Sequence, residues 1–323
     1  MLAGFFCAQV LGLHLGWQCL PLVSIPVFYS MRFFNFFLFF SLLFIVAAYA
    51  KSPTVEKATI RVDGRERQYL TFVPESLVEE APLVFVLHGY GGTAEGMIEF
   101  TKMNEIAERN GFAVCYPQAF LGPDDKHSWN AGYSNPEVDD VNFIEQLAQT
   151  LIKRHKLSPV NVFVTGMSNG ADMSYVLACE RPELVRAIAP VAGCMMESTF
   201  ERCQNSEPVP VFEIHGIADE ITLYNGDPDY SDEYGGYIGV PEILEFWREK
   251  NGCSDVKIDT LSDKDANDGS FVIREIATTS VNENEVWLYK LVGGGHDWPG
   301  SWGNKDFVAA KEIWHFFNMF VTN

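Results

Sequence analysis

Val162-Phe163-Val164-Thr165-Gly166-Met167-Ser168-Asn169-Gly170 runs an apolar strand pattern straight into Gly-x-Ser-x-Gly, and the helix-compatible stretch Ala171 to Cys179 follows. A short glycine–serine pattern alone says little; between a strand and a helix it specifies a sharp strand-to-helix turn. A serine on that turn must adopt strained dihedrals, and the flanking glycines remove side chains that would collide there. The context predicts that Ser168 stands at the top of a sheet, beside a helix N-terminus, as a nucleophile.

The same strand, loop, helix rhythm repeats on both sides of this turn. Leu83 to Leu87, Phe112 to Tyr116 and Val160 to Val164 are continuous apolar runs of the kind buried on both faces. Between them the clearest helix starts at Asp139-Asp140 and carries Phe143/Ile144, Leu147/Ala148 and Leu151/Ile152 on one stripe. Its acidic start and its Lys153, Arg154 and Lys156 end both suit the helix dipole. Further strands are expected at Ala187 to Val191, Val209 to Ile214 and Val286 to Leu291, with helices at Val240 to Asn251 and Asp306 to Phe320. A hairpin opens the series, Ala58 to Val62 and Tyr69 to Val73 around an Asp63-Gly64 turn. Strands alternating with helices predict an α/β domain, a mostly parallel sheet with helices on both faces. With no internal repeat and no linker composition, one catalytic domain follows.

A serine hydroxyl needs a base, and on this kind of turn the partners follow in the order Ser, acid, His. Four of the seven histidines precede Ser168, which leaves His215, His296 and His315. His315 falls inside the last amphipathic helix, and His215 precedes the best acid. His296 remains, in the loop Gly293-Gly294-Gly295-His296-Asp297-Trp298-Pro299-Gly300 after the last strand. Asp219, in the loop after Val209 to Ile214, is the acid that would hold the imidazole tautomer; Glu220 is its neighbouring rival. The oxyanion of a tetrahedral intermediate needs two N–H donors. The backbone of Asn169 supplies one, and the backbone of Tyr90 in Leu87-His88-Gly89-Tyr90-Gly91-Gly92 the other, with His88 positioning that loop.

The full chain has 323 residues and a net charge of −20. Acidity of that size, without a Lys/Arg cluster, excludes a nucleic-acid partner, because phosphate contacts need clustered cations. Residues 1–50 hold ten of the 25 Phe and a single charged residue, Arg32. From Met31 they give a basic start, an apolar run Phe33 to Val46, and Ala48-Tyr49-Ala50 ahead of Lys51, the layout of a secretory signal with cleavage after Ala50. Phe33 to Ala50 also approaches membrane-spanning length, and the cleavage signature decides for a removed leader over a stable anchor. Residues 1–30 then read as an upstream extension, with Met31 the expected true start. The 51–323 remainder, 273 residues with 22 basic and 43 acidic side chains, is the expected catalytic domain.

An exported chain permits disulfides. Cys194 and Cys203, nine positions apart around an expected loop, are the expected pair, with Cys115 and Cys179 as buried thiols. Trp129, Tyr133, Trp298 and Trp302 are candidate rings for stacking on a phenolic acyl group or a sugar. The acidic runs Asp263 to Gly269 and Asp227 to Glu233 match no calcium-ligand spacing, so neither metal nor cofactor is expected.

Together, Gly166 to Gly170, Ala187 to Gly193, His215-Gly216-x-x-Asp219, Val138 to Val141 and Gly294-Gly295-His296-x-Trp298-Pro299-Gly300 resemble the poly(3-hydroxybutyrate) depolymerase and feruloyl/acetylxylan esterase group. The resemblance spans about Thr59 to Phe317 and implies a secreted α/β-hydrolase with the trio Ser168, Asp219 and His296. Depolymerases of this group that attack solid polymer usually add a linker and a surface-binding domain, which this sequence does not contain. The expected substrate is a feruloyl or acetyl ester on plant-type polysaccharide. Hydroxyalkanoate oligomers are the second reading, and a catalytically silent binding protein of the same fold is a third.

Overall fold

The apolar runs that bracket Ser168 assemble, in a computed structural model, into a ten-stranded sheet. Residues 55–132, 138–227, 229, 235–280 and 283–322 are described by the structure. The expected export segment, with Met31 and Ala50, lies outside the described residues, as does Tyr133.

The sheet strands are β1 (Glu56–Val62), β2 (Arg65–Phe72), β3 (Leu83–Leu87), β4 (Ala113–Pro117), β5 (Val162–Met167), β6 (Ala187–Val191), β7 (Val211–Gly216), β8 (Asp255–Thr260), β9 (Phe271–Thr278) and β10 (Val286–Val292). Their spatial order is β1-β2-β4-β3-β5-β6-β7-β10-β9-β8. The six strands from β4 to β10 run parallel. Antiparallel strands β1 and β2 close one side, β9 and β8 the other. The helices are α1 (Ala94–Thr101), α2 (Met103–Asn110), α3 (Asp140–His155), α4 (Asn169–Glu180), α5 (Glu197–Cys203), α6 (Val240–Asn251) and α7 (Ala309–Asn318). Among the described residues no helix is long and apolar enough to cross a membrane.

Period-two alternation along β3 explains why its sequence is apolar without a break. Leu83, Phe85 and Leu87 pack on one face with Phe143, Ile144 and Leu147 of α3, Met173 and Leu177 of α4 and Trp247 of α6. Val84 and Val86 pack on the other with Met97 of α1, Met103 of α2 and Ile313 and Phe317 of α7. Each large side chain removed from water contributes about 1.5–3 kcal/mol, so a strand covered twice cannot accept a polar residue on either face.

Three departures from the expected elements have simple causes. The central strand starts at Val162 and not Val160, which is 56% exposed. Strand β8 is exposed along its whole length, and its two apolar residues, Val256 and Ile258, set between charged ones, are too few to mark a strand. Helices α1, α2 and α5 are only seven or eight residues long, too short to show a period.

The expected Cys194–Cys203 bridge is replaced by Cys179–Cys203, with Cys194 buried and outside any disulfide. The segment between Cys194 and Cys203 is not a loop: α5 occupies its last seven positions and carries Cys203 about 10 Å along its axis, beyond the reach of a disulfide. That displacement brings Cys203 to the end of α4, 4.8 Å between Cα atoms from Cys179. Cys194 instead fixes its backbone, its N–H donating to Asp172 Oδ1 at 2.7 Å. Peptide mapping without reductant should recover Cys179 joined to Cys203. A Cys179→Ala/Cys203→Ala variant should lose about 2–4 kcal/mol in chemical denaturation, and Cys194→Ser should leave the crosslink intact.

Candidate active site

Parallel strands deliver the loops at their carboxyl ends to one edge of the sheet, and β3, β5, β7 and β10 each bring one part of a site there. Leu87 lies opposite Gly166, and Gly216 opposite Leu291, so the four loops start at nearly one level.

Ser168 follows β5 directly and holds φ 55°, ψ −127°, a strained backbone for a residue with a Cβ. Its N–H donates to Val191 O at 2.9 Å, and its carbonyl accepts from Ala171 and Asp172 as α4 begins. A Cβ on Gly170 would fall 2.4 Å from Leu87 O, so only glycine lets α4 start against the end of β3. From the other side, the loop after β3 passes so close that a Cβ on Gly89 would lie 3.3 Å from Ser168 Cβ.

That loop is held by His88, which is 1% exposed. Its Nδ1 bonds to Gly89 O at 2.7 Å, while Nε2 faces Ala119 N at 3.1 Å and Gln118 Nε2 at 2.9 Å. A carbonyl only accepts and an amide N–H only donates, so the ring is neutral with its proton on Nδ1. Burial pushes the His88 pKa down to about 4. In the same loop the Gly91 and Gly92 amides are spent on His127 O and Gly89 O. The Tyr90 amide is the one of the three with no acceptor among the described residues. The Tyr90 side chain turns outward, half-exposed, and its hydroxyl donates to Asp124.

Asp219 is fully buried in its side chain, and its Oδ2 accepts from His296 Nδ1 at 2.8 Å. Oδ1 accepts from the Ile221 and Thr222 amides, both at 2.8 Å. Burial would raise this carboxyl; the bonds from His296 and Thr222 outweigh it and hold it below the usual carboxylate range. Glu220, the sequence rival, is exposed to solvent. The histidine loop is stitched to the acid's loop by Ile217 N donating to Leu291 O and Ala218 N to Gly294 O, each at 2.9 Å. At Gly216 a Cβ would sit 2.2 Å from Gly295 O, so the two loops cannot separate enough for any larger residue.

The aromatic candidates divide by burial. Trp129 is 1% exposed and offers no face for stacking; its Nε1 donates to His88 O at 2.8 Å and its N–H to Asn169 Oδ1 at 2.7 Å. Trp298, also 1% exposed, packs against Phe100 beneath the histidine loop. Both are too buried to stack on a substrate, which periodicity could not show because an aromatic residue suits either place. Trp302 is 65% exposed beyond His296. Two bracing roles were not read from the sequence: that of the Asn169 side chain, which ties the Trp129 backbone down, and that of Asp140. The Asp140 carboxylate accepts from Arg67 Nη2 at 2.6 Å and from Asn130 N at 2.8 Å, pinning the loop that carries Trp129. A cavity of about 350 Å³ lies along that loop, lined by Phe120, Pro123, Asp124, Ser128, Trp129 and Asn130.

A strand-turn-helix serine, an amide-lined loop above it and a carboxylate-bound histidine at one sheet edge define an α/β-hydrolase, a carboxylic ester hydrolase. Residues 67–215 match the family model described as esterase PHB depolymerase. It is 28% identical over 263 residues to a protein of Nocardia uniformis subsp. tsuyamanensis named as an esterase, NocK, covering 76% of this chain and 75% of that one. It is 25% identical over 289 residues to feruloyl esterase D of Neurospora crassa, covering 84% and 89%. Among solved structures it is similar in fold to an acetyl xylan esterase from Aspergillus awamori, with TM-score 0.58, 16% identity, and 82% and 99% of the two chains covered.

The neutral His88 gives a pH prediction with a definite sign. Its pKa falls from 6.5 to about 4 on folding, so the stability it contributes is complete above 6.5 and is lost as pH drops from there toward 4. Thermal melts of parent and His88→Gln should differ most at neutral pH, and the gap should narrow toward pH 4. A gap constant over that window would refute the neutral anchor.

Proposed function

We propose that this protein is a secreted serine esterase that forms an acyl-enzyme on Ser168. The observation that carries the proposal is the Asp219–His296 hydrogen bond at 2.8 Å, on the sheet edge that also presents the strained Ser168. With Nδ1 committed to Asp219, Nε2 is the nitrogen left to act as base. His296 Nε2 takes the Ser168 proton as Oγ bonds to the ester carbonyl carbon, and the carbonyl oxygen becomes an oxyanion facing the Asn169 and Tyr90 amides. Collapse breaks the bond to the alcohol oxygen, which leaves with the proton from His296. Water then repeats the sequence on the acyl-enzyme and frees the acid. Asp219 stabilises the imidazolium and keeps its charge throughout.

The substrate reading is a feruloyl or acetyl ester on plant-type polysaccharide or its oligomers. It is supported by the names of the Neurospora and Aspergillus relatives and by Trp302, an exposed indole close after the histidine on which a ring can stack. The family description favours a second reading, hydroxyalkanoate oligomers. For export, the support is the basic Arg32, the Phe33 to Val46 apolar run and Ala48-Tyr49-Ala50, which make residues 1–50 a leader with its extension and 51–323 the working enzyme.

An organophosphonate should label Ser168, and Ser168→Ala should lose p-nitrophenyl acetate turnover by about a thousandfold or more. Unchanged turnover in that variant would end the serine mechanism. Methyl ferulate should be cleaved faster than a hydroxybutyrate dimer, and the reverse order would select the second substrate reading. N-terminal sequencing of exported protein should begin at Lys51; a start upstream of Arg32 would sink the leader.

A further inference from the structure

Glu213 and His215 stand two places apart on β7, hence on the same face of the sheet, and both side chains are wholly buried. Neither has a part in the reaction above. His215 Nδ1 lies 3.0 Å from Glu213 Oε1, and Nε2 lies 2.8 Å from Thr222 O. Glu213 Oε2 accepts from the Tyr175 hydroxyl at 2.7 Å, and the Gly193 amide also donates to this carboxylate. Tyr175 belongs to α4, the helix that starts at Ser168's neighbour; Thr222 belongs to the turn whose amides hold Asp219 Oδ1. One chain of hydrogen bonds therefore joins the serine's helix to the acid's turn through the sheet.

The donor and acceptor inventory fixes the proton. Thr222 O can only accept, so Nε2 carries hydrogen; burial raises the Glu213 carboxyl, the bonds from His215, Tyr175 and Gly193 oppose that rise, and with three donors on the carboxylate the shared proton is placed on Nδ1. Nε2 is also 3.5 Å from Asp219 Oδ2. We infer that Glu213 and His215 are positioning residues of the Asp219–His296 pair, with Glu213 holding a buried imidazolium against the carboxylate on which His296 leans. The inference rests on Asp219 being the acid of the site. Burial works against the imidazolium, and the Glu213 carboxylate more than offsets it, holding His215 above the ordinary imidazole range. The other groups facing this pair are the Tyr224 ring, 5.8 Å from His215, and Asp172 and Cys194, which act on Tyr175.

A cation beside Asp219 competes with His296 for the charge of the carboxylate that both face. The test is kcat/KM against pH on p-nitrophenyl acetate for the parent, Glu213→Gln and Asp219→Asn. Glu213→Gln keeps the shape and removes the charge that holds the imidazolium. Its acid limb should move up by about half a unit to one unit, about a threefold to tenfold loss below the parent midpoint, with a smaller loss on the alkaline plateau. An unmoved limb, whatever the plateau, overturns the inference. Full activity in Asp219→Asn would overturn the acid assignment and this inference with it, whereas an inactive Asp219→Asn with an unmoved Glu213→Gln limb overturns the inference alone. Should Glu213→Gln not fold, 15N-histidine spectra of the parent decide: both His215 nitrogens protonated at pH 7 to 8 is the expected result, and a single protonated nitrogen overturns it.

Discussion

Ser168 sits at a φ of 55°, which costs of order 1–3 kcal/mol for a residue with a side chain, and its surroundings exist to hold it there. Its amide is captured by Val191 O at the end of the neighbouring parallel strand. The next turn of chain is pressed against Leu87 O at a distance only glycine permits, at Gly170. Neither contact would survive a change in strand order, because β3, β5 and β6 must be adjacent and parallel for both to form. The fold is thus the device that keeps one dihedral out of its preferred basin.

That dependence explains what could be read from the chain alone. The parallel strands were legible because burial on two faces forces an unbroken apolar run, and the serine turn because strain forces glycine on both sides. Asp219 and His296 were chosen by chain order and loop composition, and their side chains are hydrogen-bonded to each other. What stayed hidden was governed by contacts between segments far apart in sequence. A tryptophan reads the same whether it lines a groove or lies beneath it, so Trp129 and Trp298 were misplaced. A count of nine residues carries no length until it is known that α5 spans most of them, so the disulfide partner of Cys203 was missed. Asp140 looked like a helix-capping acid; its bond to Arg67 crosses 73 positions and has no local signature.

Buried polar groups concentrate around the site, and each is satisfied from several directions. His88 works as a neutral ring between two loops, Asp219 collects two amides and an imidazole, and Glu213 draws on a hydroxyl, an amide and a ring. Such groups are costly when left unpaired, so each bond made also penalises any rearrangement that would break it. Rigidity at this edge of the sheet therefore comes from polar closure, where the apolar core gives only general cohesion.

Strand β8 has the opposite character. It ends the sheet, is exposed along its length, and would offer unpaired amides and carbonyls to another chain, with Val256 and Ile258 as apolar contacts. Asp255, Lys257 and Asp259 alternate with them, and Asp259 is clamped by Arg274 from β9 at 2.9 and 2.5 Å. A second sheet docking here would have to strip water from these charges. The open margin of the sheet is guarded by hydration, which lets an uncovered edge persist without becoming a seed for sheet-to-sheet growth.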